Sequence, residues 1–517
     1  MGKPNPYDEL LYTGYPFAQS HPDRLATLAM LFGMKPAPVE SCGILELGCG
    51  DGANLIPMAF GLPGSRLVGI DSAARSIAKG KAMADALGLR NISLHQLNVL
   101  EISPEFGQFD YIIAHGLYSW VPPAVQDKIL SVCKMNLAPQ GVAYVSYNTY
   151  PGGHLRQMIR EMMLFHVRGM TDPLERIGQA RGLVKFLSES QPQSDEYALL
   201  LQKELDRTLA REDHAIYHDD LAEINRPVYF REFIEHAARH GLQYLTEAHL
   251  LESQTSVFPP QVAEVLKQEG VSIIAQEQYL DFIKCRRFRQ TLLCHDRIGL
   301  DRSFNAEPVR HFYIASSARP VSTKPNVASS SAVEEFRASN GAVMSTSDPL
   351  AKAAMLFLGE LWPQSCRLDQ LLLKARVLLG PGASQHEERP EREIAALCEF
   401  FLKNYRVDVV ELHAHQPSFK AVASECPAVS PLARLQARHD TIVTNLRHMT
   451  VELTDSLGRN LLLLLDGTRN RATLLRELVA MMESEKTGMR GEETFDLSFD
   501  RLEQKLSELA RLALLVA

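Results

Sequence analysis

Residues Ile44-Leu-Glu-Leu-Gly-Cys-Gly-Asp-Gly-Ala-Asn54 place glycines at 48, 50 and 52, directly after an apolar run and directly before a helical one. Such a stretch can fold in few ways. Glycines at alternate positions allow backbone torsions that a Cβ forbids and let a ligand lie against the main chain. An apolar strand before the turn and a helix after it place that turn at the edge of a doubly wound sheet. The next apolar run, Arg66-Leu-Val-Gly-Ile-Asp71, ends in a carboxylate where such folds grip ribose hydroxyls. Dinucleotide binding requires Gly-x-Gly-x-x-Gly, and the position of its third glycine is held here by Ala53. Glu46, two residues before the first glycine, is a poor neighbour for pyrophosphate and a useful one for a sulfonium and its amino group. The pattern therefore predicts S-adenosylmethionine. The expected cofactor residues are Glu46, Gly48, Cys49, Gly50 and Asn54 in the turn, Asp71 and Ser72, Asn98 and Val99, and His115. Asn98 ends the third strand, where it can donate to and accept from adenine, and His115 ends the fourth, beneath the methionine part.

The alternation continues around that motif. Cys42–Leu47, Arg66–Asp71, Asn91–Leu97, Phe109–Ala114 and Val142–Tyr147 are short, apolar and rich in β-branched or aromatic residues, as buried parallel strands are. Helical stretches lie between them, notably Ala73–Leu87 closed by Gly88 and Ala124–Leu137. Five such strands predict an α/β, doubly wound parallel sheet. Residues 154–225 read as helix throughout, and strands return at Leu242–Thr246 and Gln290–Cys294, so 154–225 is expected to be a helical insertion into a core of 1–153 and 226–316. The Pro- and Ser-rich stretch 317–332 reads as a linker to a mostly helical region, 333–517.

At 517 residues the chain is too long for one hydrophobic core. Its net charge of -8 argues against a large phosphate-binding footprint. The cysteines form no CxxC pair, and the N-terminus carries neither an apolar signal segment nor a myristoylation signal, so a reduced, cytoplasmic protein without membrane insertion is expected.

The methyl acceptor should meet the end of the fourth strand, His115-Gly-Leu-Tyr-Ser-Trp-Val-Pro122. The Asp/Asn-Pro-Pro-Tyr of enzymes that methylate nucleobase amines is missing there. Tyr118 and Trp120, with Asn148 and Tyr150 from the end of the fifth strand, are expected to face one pocket. Aromatic walls disfavour an ammonium and attract a sulfonium. A lysine, which must lose a proton at a cost of about 4.6 kcal/mol at pH 7, could then react without a dedicated base or a metal.

Tyr7-Asp-Glu-Leu-Leu-Tyr12, Pro16-Phe17, His21-Pro-Asp-Arg-Leu25, Ile44–Gly50, Phe109–Pro122 and Tyr147–Gly153 resemble the signature of a bacterial family. So do Asn225–Phe233, His240–Ala248, Gln278–Phe282 and Phe288–Cys294. The family is the class I methyltransferases with a methyltransferase regulatory domain, and its characterised members like this chain are protein lysine methyltransferases acting on outer-membrane proteins. The resemblance covers most of the chain to about residue 310 and is fainter beyond. It implies a seven-stranded Rossmann-like core, a protein substrate, and an N-terminal segment in which Tyr12 and Phe17 fold over the active site. A small-molecule amine or hydroxyl acceptor, or a non-catalytic scaffold that binds the cofactor, are the other readings.

His214 and His218-Asp-Asp220 have helical spacing but no third ligand, so an exposed polar helix end is expected and no metal; His413-Ala-His415 reads as a solvated strand terminus. The last ninety residues have winged-helix flavour, around Leu461–Gly467 and Ala472–Met482. Residues 427–517 hold 12 basic and 13 acidic side chains, which favours protein docking or homodimerisation over DNA.

Overall fold

The computed structural model describes residues 6–190, 196–255, 258–266, 271–380, 390–486 and 498–516. The signal-free N-terminus read at 1–5, and residues 191–195 of the expected insertion, lie outside the described residues. The chain forms two compact units: one of Met1–Tyr15, Cys42–Ile56 and Ser65–Gly299, the other of Pro16–Ser41, Pro57–Gly64 and Leu300–Ala517.

The first unit is built on a seven-stranded sheet of β1 (Gly43–Leu47), β2 (Arg66–Asp71), β3 (Ile92–Gln96), β4 (Phe109–Ala114), β5 (Leu137–Asn148), β6 (Leu242–Glu247) and β7 (Phe288–His295). The strand order is β3-β2-β1-β4-β5-β7-β6, the Rossmann-like arrangement expected. The five strands from which a parallel sheet is expected, β1 to β5, are parallel. The sheet is not wholly parallel, because β7 runs antiparallel to both β5 and β6. Its beginning, Phe288, therefore lies opposite Asn148 at the end of β5, so residues from β7 reach the edge where ligands bind in such sheets.

Helices cover the sheet for the usual reason, apolar stripes on amphipathic segments. Helix α1 (Ala74–Ala86) ends at Gly88, whose φ of 66° is the left-handed conformation that closes a helix. Helix α2 (Pro123–Met135) starts on a proline, tolerated where the first N–H has no intrahelical partner. Between β5 and β6, α3 (Gly153–His166), α4 (Pro173–Glu189) and α5 (Glu196–Leu209) pack round their own core of Ile159, Met163, Val184, Leu201 and Leu205. Helices α6 (Phe230–Arg239) and α7 (Ile273–Lys284) then lead into and follow β6.

Beneath β6 and β7 the core holds a charge cluster. The Arg289 guanidinium is fully buried and donates to Glu247 Oε1 at 2.6 Å, Glu277 Oε2 at 3.0 Å and Asp281 Oδ2 at 2.9 Å. Its carbon sits 3.9 Å from the Phe230 ring centroid. Thr291 Oγ1 extends the network by donating to Glu247 Oε1 at 2.8 Å.

In the second unit, residues read as a linker are partly ordered by contacts. Arg319–Pro320 pairs with Glu334–Arg337 as a short strand. The buried Lys352 ammonium donates to the carbonyls of Asn326, Ser329 and Ala332. At the C-terminus, helices Pro431–Ala437, Ser456–Leu464 and Phe499–Arg511 enclose an apolar core with the hairpin Ile442–Thr444 and Thr450–Glu452. No helix among the described residues is long and apolar enough to cross a membrane.

His413 is not a solvated strand end. Its Nδ1 lies 2.7 Å from Asp23 Oδ2 and its Nε2 3.0 Å from Glu411 Oε2, and Arg447 pairs with the same Glu411. Burial disfavours the imidazolium, but Asp23 and Glu411 outweigh it and hold His413 up at about 9. A pKa raised on folding means stability that is fully present below the unfolded value near 6.5 and lost as pH rises through 9. The melting temperature of the second unit should therefore fall between pH 7 and 9.5. The fall should be smaller in His413→Gln, and equal slopes in the two proteins would refute the ion pair as its cause.

Candidate active site

The glycine turn is held against the end of β2. Gly48 and Cys49 N–H donate to Ile70 O, and Gly50 N–H donates to Asp71 Oδ2 at 2.9 Å. Asp71 Oδ1 accepts from Ala73 N–H at 2.8 Å, so both carboxylate oxygens are oriented by backbone. Gly48 and Gly50 have φ of 72° and 54°, and a Cβ built on Gly50 would meet nothing within 4 Å. Glu46 and Asn54 are buried side by side, with Asn54 Nδ2 donating to Glu46 Oε1 at 2.8 Å. Glu46 Oε2 is buried with no hydrogen-bond partner. Burial, reinforced by nearby Asp71, pushes the Glu46 carboxyl up to about 8 in spite of the Asn54 bond. Cys49 is a buried thiol, and Ser72 is exposed at the strand end.

The segment before β1 lies against this turn. Asp8 Oδ1 accepts from Arg75 N–H at the start of α1, and a Cβ at Gly14 would fall 2.7 Å from Ala53 Cβ. Tyr7 stacks on His218 at 4.4 Å, and Tyr12 meets His214 edge-on at 5.0 Å and His218 at 5.7 Å. The expectation of an exposed polar helix end at 214–220 is thus corrected. His218 is buried, its Nε2 lies 2.6 Å from Leu10 O, and Asp220 is buried against Arg156 and Arg211. These polar groups anchor residues 7–12. Phe17 belongs to the second unit.

At the ends of β3 and β4, Asn98 is exposed and its Oδ1 accepts from Leu100 N–H, while Val99 is buried. His115 Nδ1 lies 2.9 Å from the Tyr144 hydroxyl, its ring packs on Tyr144, and Phe288 meets it edge-on at 6.1 Å. Burial lowers its pKa to about 4, which makes it a neutral imidazole at physiological pH. The loop after β4 is tied to β5 twice: Gly116 N–H donates to Ser146 Oγ and Asn148 N–H donates to Ser119 Oγ.

Past the ends of β4 and β5, the Arg156 guanidinium carbon lies 5.6 Å from the Trp120 ring centroid, Asn148 Nδ2 donates to Asn225 Oδ1, and Tyr150 stacks on His154 at 4.0 Å. Tyr118 departs from the expected pocket wall. Its ring is 2% exposed, enclosed by Phe233 and Tyr147, with its hydroxyl 2.8 Å from His236 Nδ1. The aromatic ring finds apolar cover and its hydroxyl a largely covered partner, which is how a core tyrosine is satisfied. Tyr118→Phe should therefore cost about 1–2 kcal/mol of stability through the orphaned imidazole nitrogen, with turnover per folded molecule unchanged. A fall in turnover without a fall in melting temperature would return Tyr118 to the chemistry.

Residue patterns did not single out Tyr144, Ser119, Ser146 or Phe288, which position this edge. Nor did they reveal a cavity of about 170 Å³ lined by Glu247, His249, Glu252, Arg286, Phe288 and Gln290. The reversed β7 is what brings Phe288 and Gln290 there.

Comparison with known proteins accounts for this arrangement. Residues 45–143 match the model of a methyltransferase domain, 212–295 that of a predicted methyltransferase regulatory domain, and 425–515 that of the PKMT C-terminal winged helix domain. The uncharacterized protein RP789 of Rickettsia prowazekii is 34% identical over 97% of this chain and 89% of its own length. A second uncharacterized protein of that organism, RP028, is 38% identical over 46% of this chain. The structure of PKMT2 from Rickettsia typhi covers 98% of this chain and 100% of its own at 30% identity, with a TM-score of 0.85. The chain belongs to the class I methyltransferases with a methyltransferase regulatory domain. Another structure of PKMT2, in complex with AdoHcy, has a TM-score of 0.84. The methyltransferase uses S-adenosylmethionine, and its own residues suit that molecule: the glycine turn carries open side-chain space at Gly50, and the strand that leads into it carries a buried carboxyl oxygen of Glu46 without a partner.

Proposed function

We propose that this methyltransferase N-methylates lysine side chains of proteins, outer-membrane proteins among them. The observation that carries the proposal is the likeness to PKMT2 over the whole chain, the C-terminal winged helix included. The site agrees with such chemistry. S-adenosylmethionine supplies a methyl group on a sulfonium, and the chain must position an acceptor in line and keep water out. His115, neutral and held by Tyr144, adds no positive charge beside a cationic acceptor. Trp120, Asn148 and Tyr150 are the side chains assigned to the acceptor, with Tyr12 from the N-terminal segment. Asp71 would hold the ribose hydroxyls, Asn98 and Val99 the adenine, and Gly48, Cys49, Gly50, Asn54, Ser72 and His115 would line the rest of the cofactor. We also assign 154–225 to an inserted helical region and the C-terminal region to docking or dimerisation, in a cytoplasmic enzyme.

Glu46 makes cofactor binding pH-dependent. Its carboxyl is protonated below about 8, and a cationic ligand favours the carboxylate. Affinity should rise by up to about tenfold per pH unit between 6 and 8, then level off, with a proton released on binding. Calorimetry in two buffers of different ionisation enthalpy measures that proton. Glu46→Gln should bind more weakly and show no rise, and a flat profile in the unsubstituted enzyme would remove Glu46 from the cofactor site.

The acceptor is tested with tritiated S-adenosylmethionine and cell-envelope fractions. Label is expected in acid-precipitable protein, on lysine after hydrolysis. Label confined to acid-soluble products would end the lysine reading and favour a small-molecule acceptor.

A further inference from the structure

Away from the glycine turn, a second group of ligating side chains converges. Asp127 stands on α2, and His236 and His240 lie four residues apart, on and just after α6, so their rings share one face. His236 Nε2 is 3.1 Å and His240 Nε2 2.8 Å from Asp127 Oδ1, and the three ligand atoms lie within 4.8 Å of one another. Donors at about 2.1 Å from a metal are about 3.0–3.4 Å apart in octahedral or tetrahedral geometry, so the two histidine–carboxylate spacings need little adjustment and the rings have only to close on a common point. The imidazoles are largely covered, 13% and 18% exposed, while the carboxylate is 62% exposed. Packing thus orients two ligands, and solvent can reach the third and supply the remaining positions.

Metal-binding histidines usually carry an outer partner on their second nitrogen. His236 has one in the buried Tyr118 hydroxyl, 2.8 Å from Nδ1. Asp127 comes from the segment that matches the methyltransferase domain, and both histidines come from the segment that matches the regulatory domain. We propose that Asp127, His236 and His240 form a site for one divalent transition-metal ion of the zinc class, bridging those two segments. Borderline-soft ions of this class take imidazole and carboxylate together, whereas magnesium and calcium prefer oxygen alone.

The ion has no part in methyl transfer. Its binding would be felt at Tyr118 through the His236 ring. In the hydrogen-bonded arrangement both Nε2 atoms donate to Asp127, and His236 Nδ1 accepts from the Tyr118 hydroxyl. Coordination through Nε2 moves the imidazole proton to Nδ1, which then donates to the Tyr118 oxygen, so the direction of that bond reverses. Tyr118 lies in the loop directly after β4, between His115 and Trp120. Burial, and after it the charge of Arg239, disfavour a cation at His236; that charge opposes the ion and should keep its affinity moderate.

The test uses the full-length chain without a histidine tag, stripped with EDTA. Co2+ is titrated and followed by its visible ligand-field absorption, Zn2+ is added in competition, and melting temperature is recorded with and without Zn2+. One ion per chain is expected, displaced by Zn2+, with a higher melting temperature in Zn2+. Asp127→Asn and His240→Gln should bind at least tenfold more weakly and lose the Zn2+-induced shift. Their melting temperatures without metal, and their cofactor affinities, show separately that they are folded. Absence of binding at about 100 μM Zn2+, or equal affinity in His240→Gln, would overturn the site. Neither outcome bears on which acceptor is methylated.

Discussion

Gly50→Val is expected to weaken S-adenosylmethionine binding at least about 100-fold, or ~2.7 kcal/mol, in calorimetric titration. The structure offers two reasons. A Cβ at this position meets no protein atom within 4 Å, so the new side chain stands in open space at the turn, next to the N–H that holds Asp71, where the cofactor is expected. The φ of 54° also strains any β-branched residue, which disturbs the N–H that orients Asp71. Gly50→Ala should fall between, since it adds one methyl and less strain. Circular dichroism and melting temperature separate lost binding from lost fold. A well-folded valine variant with ordinary affinity would mean that the turn serves the fold alone.

Arg289→Met should be the most destabilising single change in the first unit. It leaves Glu247, Glu277 and Asp281, at 3%, 1% and 0% exposure, without the cation that pairs all three. Breaking a buried pair by removing one partner costs about 3–5 kcal/mol. At roughly 2–4 °C per kcal/mol for a unit of this size, the melting temperature should drop by about 6–20 °C. The sign with pH is diagnostic. Burial already holds the Asp281 carboxyl up at about 6, and removing Arg289 takes away the charge that opposes that rise, so stability lost at pH 7 should partly return as pH falls towards 5. A drop of less than about 2 °C, or one that deepens on acidification, would contradict the role given to Arg289.

How much of this was legible from residues alone depends on what each residue had to say. The strand ends at Leu47, Asp71 and Ala114 could be placed because apolar runs stop abruptly at glycine, acid or histidine. The direction of β7 could not, since an apolar run reads the same whichever way the chain enters the sheet. His218, His413 and Arg289 were missed for a shared reason. Polar residues are read as solvated by default, and only distant partners in sequence, Leu10, Asp23 and Glu247, make their burial tolerable. Tyr118 failed for the opposite reason. An aromatic residue near a strand end serves equally well as pocket wall or as core, and His236, 118 residues further on, decides between them.

The reversed strand also bears on modularity. The segment that matches a regulatory domain, 212–295, contains both β6 and β7, and β7 pairs directly with β5, the strand on which the match to the methyltransferase domain ends. Two of the seven strands, with the Arg289 cluster beneath them, thus come from the regulatory segment. That segment cannot be excised, exchanged or expressed as a separate part without opening a sheet edge along β5. Control exerted through it must take the form of small shifts in a shared sheet, and truncations made to release the enzyme from control should yield aggregated protein rather than a constitutively active one.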